Sequence, residues 1–237
     1  MCTVPPSPTP PVPTIPALVD RQAEAGTSDA LIFPDERVTY AGFAARCRAV
    51  VRSLLGLGVV RGDRVGLLAH GSVDLLAAMI ETLRLGAVAV PVSARYKGAE
   101  LAHLVADAGL AVLLVGADFL DLVAGILPVP DGAAGAPDAA GTDPRLPADR
   151  APIVVALTGE PRPPMLSRAS FDAVATLTDT ELDVITAALE PDDLAMLLYT
   201  SGTTAHPKGC MHSHATLLHV ADNLADARFA LGPDDRF

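Results

Sequence analysis

Between residues 63 and 127 short apolar runs alternate with stretches of helical periodicity, and this rhythm limits the folds open to the chain. The runs are DRVGLLAH (63–70), AVAVPV (87–92) and LAVLLVG (110–116). They are apolar along their whole length, as strands covered on both faces are. Between them, Ser72 is a helix N-cap for a helix through Arg84 that Gly86 stops. A second helix spans 98–109 with its own Gly stop, and a third spans 118–127. Strand and helix in alternation predict parallel strands joined by right-handed crossover helices. PIVVAL (152–157) and LAMLLY (194–199) read as further strands, with two short helical stretches between Ser170 and Leu189. The expected fold is α/β, with layered, mostly parallel sheets and flanking helices.

Ahead of this block, DALIFPDERVTY (29–40) reads as strand, turn, strand about Pro34-Asp35. Phe43, Cys47, Val50, Val51 and Leu54 then recur at helical spacing until Gly56 and Gly58. Residues 1–16, with Pro at 5, 6, 8, 10, 11, 13 and 16, are expected to form a disordered leader. Residues 17–190 are expected to form a first α/β subdomain, with a mobile loop at 128–150. Residues 191–237 are expected to begin a second. Aromatic residues are 4% of the chain and Trp is absent, so the core must be Ala, Val and Leu packing.

A net charge of −11 argues against a general nucleic-acid or acidic-membrane surface. No uncharged apolar run reaches the roughly 18 residues of a membrane span, because Glu81 and Arg84 interrupt the best one. The N-terminus has neither the basic start nor the apolar segment of a signal peptide. Cys2, Cys47 and Cys210 have no zinc or disulfide spacing and are read as reduced thiols. A cytoplasmic protein is expected.

The chemistry gathers in AMLLYTSGTTAHPKGCMHSHATL (195–217). A buried strand runs into a polar loop, and a helix opening at Ser213 or His214 is expected to continue to about Ala230. A glycine-containing loop can turn its amides inward as an anion cradle. Thr200, Ser201, Thr203 and Thr204 add hydroxyls, Lys208 adds a point charge suited to phosphate, and Pro207 stiffens the approach. The spacing is not that of a Walker A loop, because Pro207 follows Gly202 by five residues where a second Gly is required.

YTSGTTAHPKG resembles the phosphate-loop signature of the adenylate-forming (AMP-binding) superfamily, Tyr-Thr-Ser-Gly-Thr-Thr-Gly-x-Pro-Lys-Gly, at all fixed positions but one. RVTYAGFAARCRAVVRSLLGLGVVRGDRVGLL and ETLRLGAVAVPVSARYKGAELAHLVADAGLAVLLV resemble its upstream blocks in the right order. The wording is most similar to acyl-CoA synthetases and other acid–CoA ligases. The resemblance implies that a carboxylic acid attacks the α-phosphate of ATP to give an acyl-adenylate, which a thiol, usually coenzyme A, then takes. It implies that Thr200, Ser201, Gly202, Thr203, Thr204, Ala205, His206, Pro207, Lys208 and Gly209 hold the β- and γ-phosphates. Thr200 would lie near Mg²⁺, and His214 would lie beside the phosphates or cap its helix.

Ala205 departs from the family's Gly. It is strained if the position needs positive φ and merely stiffening otherwise. Cys210 is read as a small core residue, and His206 and His212 as solvent-facing. The resemblance also implies absent parts: acyl-pocket segments, the second nucleotide block with its Mg²⁺-binding Glu, the ribose-binding Asp, and a C-terminal domain with the catalytic Lys. Residues 1–237 alone are therefore expected to be inactive, as an N-terminal piece of a longer enzyme or half of a split one. Apolar faces left open should drive self-association or dependence on the missing half. Two alternatives stand beside the ligase reading: an adenylation domain or acyl-AMP ligase loading a carrier protein, and a non-catalytic nucleotide-binding or partner-interaction fragment. The acid substrate is not legible.

Overall fold

The computed structural model describes residues 14–25, 28–128, 146, 149, 151–174, 179–200 and 207–228. Helix α1 (Ile15–Ala25) precedes an antiparallel hairpin of β1 (Asp29–Ile32) and β2 (Arg37–Thr39). Then follow α2 (Tyr40–Gly56), β3 (Arg64–Leu68), α3 (Val73–Arg84), β4 (Val88–Pro91), α4 (Gly98–Ala108) and β5 (Val112–Val115). A 3₁₀ turn at Ala117–Phe119 leads into α5 (Leu120–Ala124), and β6 (Ile153–Ala156), α6 (Arg168–Ala173) and α7 (Asp179–Ala187) come next. The described chain closes with β7 (Leu194–Thr200), β8 (Lys208–Ser213), α8 (His214–Asp222) and a π-helical turn at Asn223–Arg228.

Strands β3 to β8 form one sheet in the order β6-β5-β3-β4-β7-β8. All neighbours are parallel except β7 and β8. Alternate side chains of the all-apolar strands enter two cores. Val65, Leu67, Val112 and Leu114 pack with α2 and α3, while Leu68, Leu113 and Val115 pack with α4 and α5. Each fully buried Leu removes side-chain surface from water that contributes roughly 1.5–3 kcal/mol. Local signals set the helix ends. The Ser72 hydroxyl accepts from Leu75 N–H at 3.2 Å at the start of α3. Helix α4 ends on Gly109 in the left-handed region, at φ 58°. There Arg64 donates to the carbonyls of Ala108 (2.8 Å) and Gly109 (2.7 Å), which the helix itself cannot satisfy.

Four expectations change. Residues 14–16 are not disordered: Thr14 is 2% exposed and Ile15 opens α1. Pro16 tolerates this because the first helical turn needs no donor there. Residues 1–13 of the expected leader lie outside the described residues, as does most of the expected loop at 128–150. The helix expected over 118–127 shrinks to a 3₁₀ turn and five residues of α5. The polar loop is followed by β8 rather than directly by a helix; the helix that opens at His214 then continues past Asp222 as the π-helical turn to Arg228, close to its expected end. The fourth is Cys210, taken up with the site. Strand β7, which opens the second expected segment, pairs with β4.

Behind the sheet lies a buried polar group that periodicity did not show. The Arg84 guanidinium donates to both carboxylate oxygens of Asp20 (2.7 and 2.9 Å) and, through Nε, to both oxygens of Glu81 (3.0 and 2.9 Å). The Cys47 thiol bonds to Glu81, and burial pushes its pKa far above the ordinary thiol value. These contacts tie α1, α2 and α3 together. No helix among the described residues is long and apolar enough to cross a membrane.

Candidate functional site

The polar loop sits at the tip of the hairpin formed by β7 and β8. Strand β7 runs parallel to β4 at Ala89↔Met196, so the tip leaves the sheet at the carboxyl end of the parallel strands. Open α/β sheets bind ligands at this edge. The hairpin register pairs Tyr199 with Gly209 and Thr200 with Lys208. The two ends of the loop, one hydroxyl and one ammonium, therefore face each other across the mouth. Thr200 and Lys208 are exposed and Pro207 is half-buried. Among the described residues no carboxylate pairs with Lys208. Ser201, Gly202, Thr203, Thr204, Ala205 and His206 lie outside the described residues.

Tyr199 closes the base of the hairpin. Its hydroxyl donates to Asp107 Oδ2 on α4 at 2.6 Å. Burial, followed by the Asp107 carboxylate, pushes the phenol well above its usual pKa. Its ring lies over Gly209, where a Cβ would stand 3.2 Å from Cζ and 3.5 Å from the hydroxyl. Sequence reading missed Asp107, which lies 92 residues away in the chain.

The Ser213 hydroxyl caps α8 by accepting from Thr216 N–H at 3.2 Å. His214 follows at the helix start and is 1% exposed. Its backbone N–H donates to the Asp193 carbonyl, and its Nδ1 accepts the Ile15 N–H at 3.3 Å. Burial lowers its pKa, with nearby Asp193 opposing, so the imidazole is neutral near pH 7. His212 is half-buried opposite Met196.

Cys210 corrects the sequence reading: it is exposed rather than a core residue. The reason is its strand. β8 is an edge strand with β7 as its one neighbour in the described sheet, and Met211 beside it is 74% exposed. Among the described residues no group of three His, Cys, Asp or Glu side chains could hold a metal ion.

Residues 19–237 match the family model described as AMP-binding enzyme. The chain is 31% identical over 216 residues to the 3-hydroxybenzoate–CoA/4-hydroxybenzoate–CoA ligase of Thauera aromatica, covering 89% of this chain and 36% of that protein. It is 31% identical over 209 residues to the L-proline–[L-prolyl-carrier protein] ligase of Pseudomonas fluorescens, covering 88% of this chain and 36% of that protein. Among solved structures, the anthranilate CoA ligase AuaEII in complex with anthranoyl-AMP superposes with a TM-score of 0.66 at 26% identity. That match covers 86% of this chain and 35% of the other. The chain thus spans well under half the length of these relatives.

Proposed function

The chain belongs to the AMP-binding enzyme family, and from that membership we propose that it is the N-terminal part of an ATP-dependent acid–CoA ligase. In the proposed reaction a carboxylate oxygen attacks the α-phosphorus of ATP, and the bond to the β-phosphate oxygen breaks. The products are an acyl-adenylate and pyrophosphate. A thiol sulfur, here of coenzyme A, then attacks the acyl carbon, and AMP leaves.

The part assigned to this chain is to hold the pyrophosphate end of ATP. The observation that carries the reading is the hairpin mouth: Thr200 stands opposite Lys208 at the carboxyl edge of the sheet. Lys208 would offset charge that grows on the leaving pyrophosphate. Mg²⁺ would enter with the nucleotide. Thr200 fits it as one hard oxygen ligand, with phosphate oxygens and water as the others. We place His214 as a buried support at the start of α8 rather than in contact with phosphate, since its Nδ1 is committed to Ile15. The similarity to a prolyl-carrier-protein ligase supports a second reading, in which the acceptor thiol belongs to a carrier protein.

Calorimetry with Mg·ATP tests the assignment on residues 1–237. The wild-type chain should bind, and Lys208→Met should weaken binding roughly tenfold to a hundredfold, the range for a lost contact to a charged group. Equal affinities would remove Lys208 from the site. In this reading the chain holds only the phosphate end of the nucleotide. It should therefore catalyse no ATP–pyrophosphate exchange by itself, and detectable exchange would overturn that.

A further inference from the structure

The hairpin that carries the proposed phosphate loop is held from one side. Among the described residues β8 is an edge strand paired with β7 alone. β7 meets β4 at Ala89↔Met196, and its last residues, Leu197–Thr200, are paired with β8. Beyond Met196, then, backbone pairing among the described residues ties the two arms to each other and not to the body of the sheet.

Leu197 packs on the core that holds α4, and Tyr199 adds a specific connection nearer the loop. It is the residue before Thr200, and its cross-strand partner Gly209 is the residue after Lys208. The ring covers Gly209 closely, which couples both arms to one side chain. The phenol then reaches out of the hairpin to Asp107 Oδ2 at 2.6 Å, in the range of charge-assisted O–H···O⁻ bonds. Asp107 stands on a firm support. Helix α4 is locked into the core by Leu101, Leu104 and Val105, all fully buried. Its two ends are held as well, by the Glu100 carboxylate on Lys97 N–H (3.1 Å) and by Arg64 on its terminal carbonyls.

We infer that Asp107 is a positioning residue for the phosphate loop, acting through Tyr199 and its contact with Gly209. The inference rests on the phosphate-loop reading above. Fixing both ends of a loop in advance lowers the ordering needed when a ligand binds it. Asp107 touches no nucleotide itself. It sets where Thr200 and Lys208 stand.

The test uses residues 1–237 as wild type, Tyr199→Phe, Asp107→Ala, Asp107→Asn and the Tyr199→Phe/Asp107→Ala double variant. Amide hydrogen exchange should quicken roughly threefold to tenfold at 197–200 and 208–211 in Tyr199→Phe and Asp107→Ala. The amides of β3, β5 and α4 should keep their rates. The double variant should be no faster than either single one, because both remove the same bond. Asp107→Asn should fall between, since its carbonyl still accepts. Calorimetry should show Mg·ATP binding weakened by a similar factor while the amides of β3, β5 and α4 keep wild-type protection, a split that a general loss of structure would not give. Variants that bind Mg·ATP as tightly as wild type, or that lose protection in β3, β5 and α4 as much as at the hairpin, overturn the inference alone. A wild-type chain that binds no Mg·ATP overturns the phosphate-loop reading, and the inference with it.

Discussion

Helices α1 and α8 start at one buried imidazole: His214 Nδ1 accepts the backbone N–H of Ile15 at 3.3 Å, across 199 residues of chain. The first amides of a helix have no partner within it, so His214 satisfies a donor that burial would otherwise leave open. The role needs an unprotonated Nδ1, and burial lowers the His214 pKa in keeping with this. His214→Ala should therefore cost about 2 kcal/mol or more at pH 7.5, from an orphaned amide and a cavity. The folded chain binds this proton less readily than the unfolded chain does. The contribution is thus complete above the unfolded value near 6.5 and is lost as pH falls below it. Urea unfolding at pH 7.5 and 5.5 should show wild type losing more stability than the variant. A difference that does not change with pH would refute this.

Glu81 should behave in the opposite sense. Burial pushes its pKa from 4.5 up to about 7, even though Arg84 pulls it down. The raised folded value means its stabilising contribution is full below about 4.5 and is lost as pH rises through about 7. A shift of that size corresponds to about 3 kcal/mol. Glu81→Gln keeps the shape and removes the titration. The stability of wild type relative to Glu81→Gln should fall by about 3 kcal/mol between pH 4.5 and 8. A flat difference would mean that Glu81 is ionised throughout.

These two groups also mark where the sequence stops being legible. Strands β3 to β7 and the caps of α3 and α4 could be read because their signals are local: an apolar run, a Ser before a helix, a Gly after one. Helix α1 was hidden, because Pro16 continues a proline series yet sits where a helix accepts it. Strand β8 was hidden because KGCMHS is polar, as an edge strand with one neighbour can be. The same exposure explains the misreading of Cys210. The phosphate loop was legible as a motif, since its residue types and spacing are contiguous. What supports it was not, because Asp107 with Tyr199, Ile15 with His214 and Asp20 with Arg84 meet only through the fold. In the sequence, Glu81 and Arg84 show only as charges breaking an apolar run.

Two glycines that look alike in the sequence should respond differently to one methyl group. Gly56 and Gly58 both read as stops for α2, but only Gly58 has positive φ, at 85°, with nothing within 4 Å of where a Cβ would lie. Gly58→Ala should cost about 1 kcal/mol from backbone strain, and Gly58→Asn should recover part of it. Gly56 is the last residue of α2. An isolated helix would gain up to about 1 kcal/mol from Gly→Ala within it. Here a Cβ would stand 2.0 Å from the Val174 carbonyl oxygen and 2.7 Å from its carbon, both backbone atoms that no rotamer change can move. Gly56→Ala should reverse the helical preference and cost about 2 kcal/mol or more by forcing α2 and α6 apart. Urea midpoints of the two alanine variants decide it. A neutral or stabilised Gly56→Ala would show that α6 yields freely and that the contact does not fix its place.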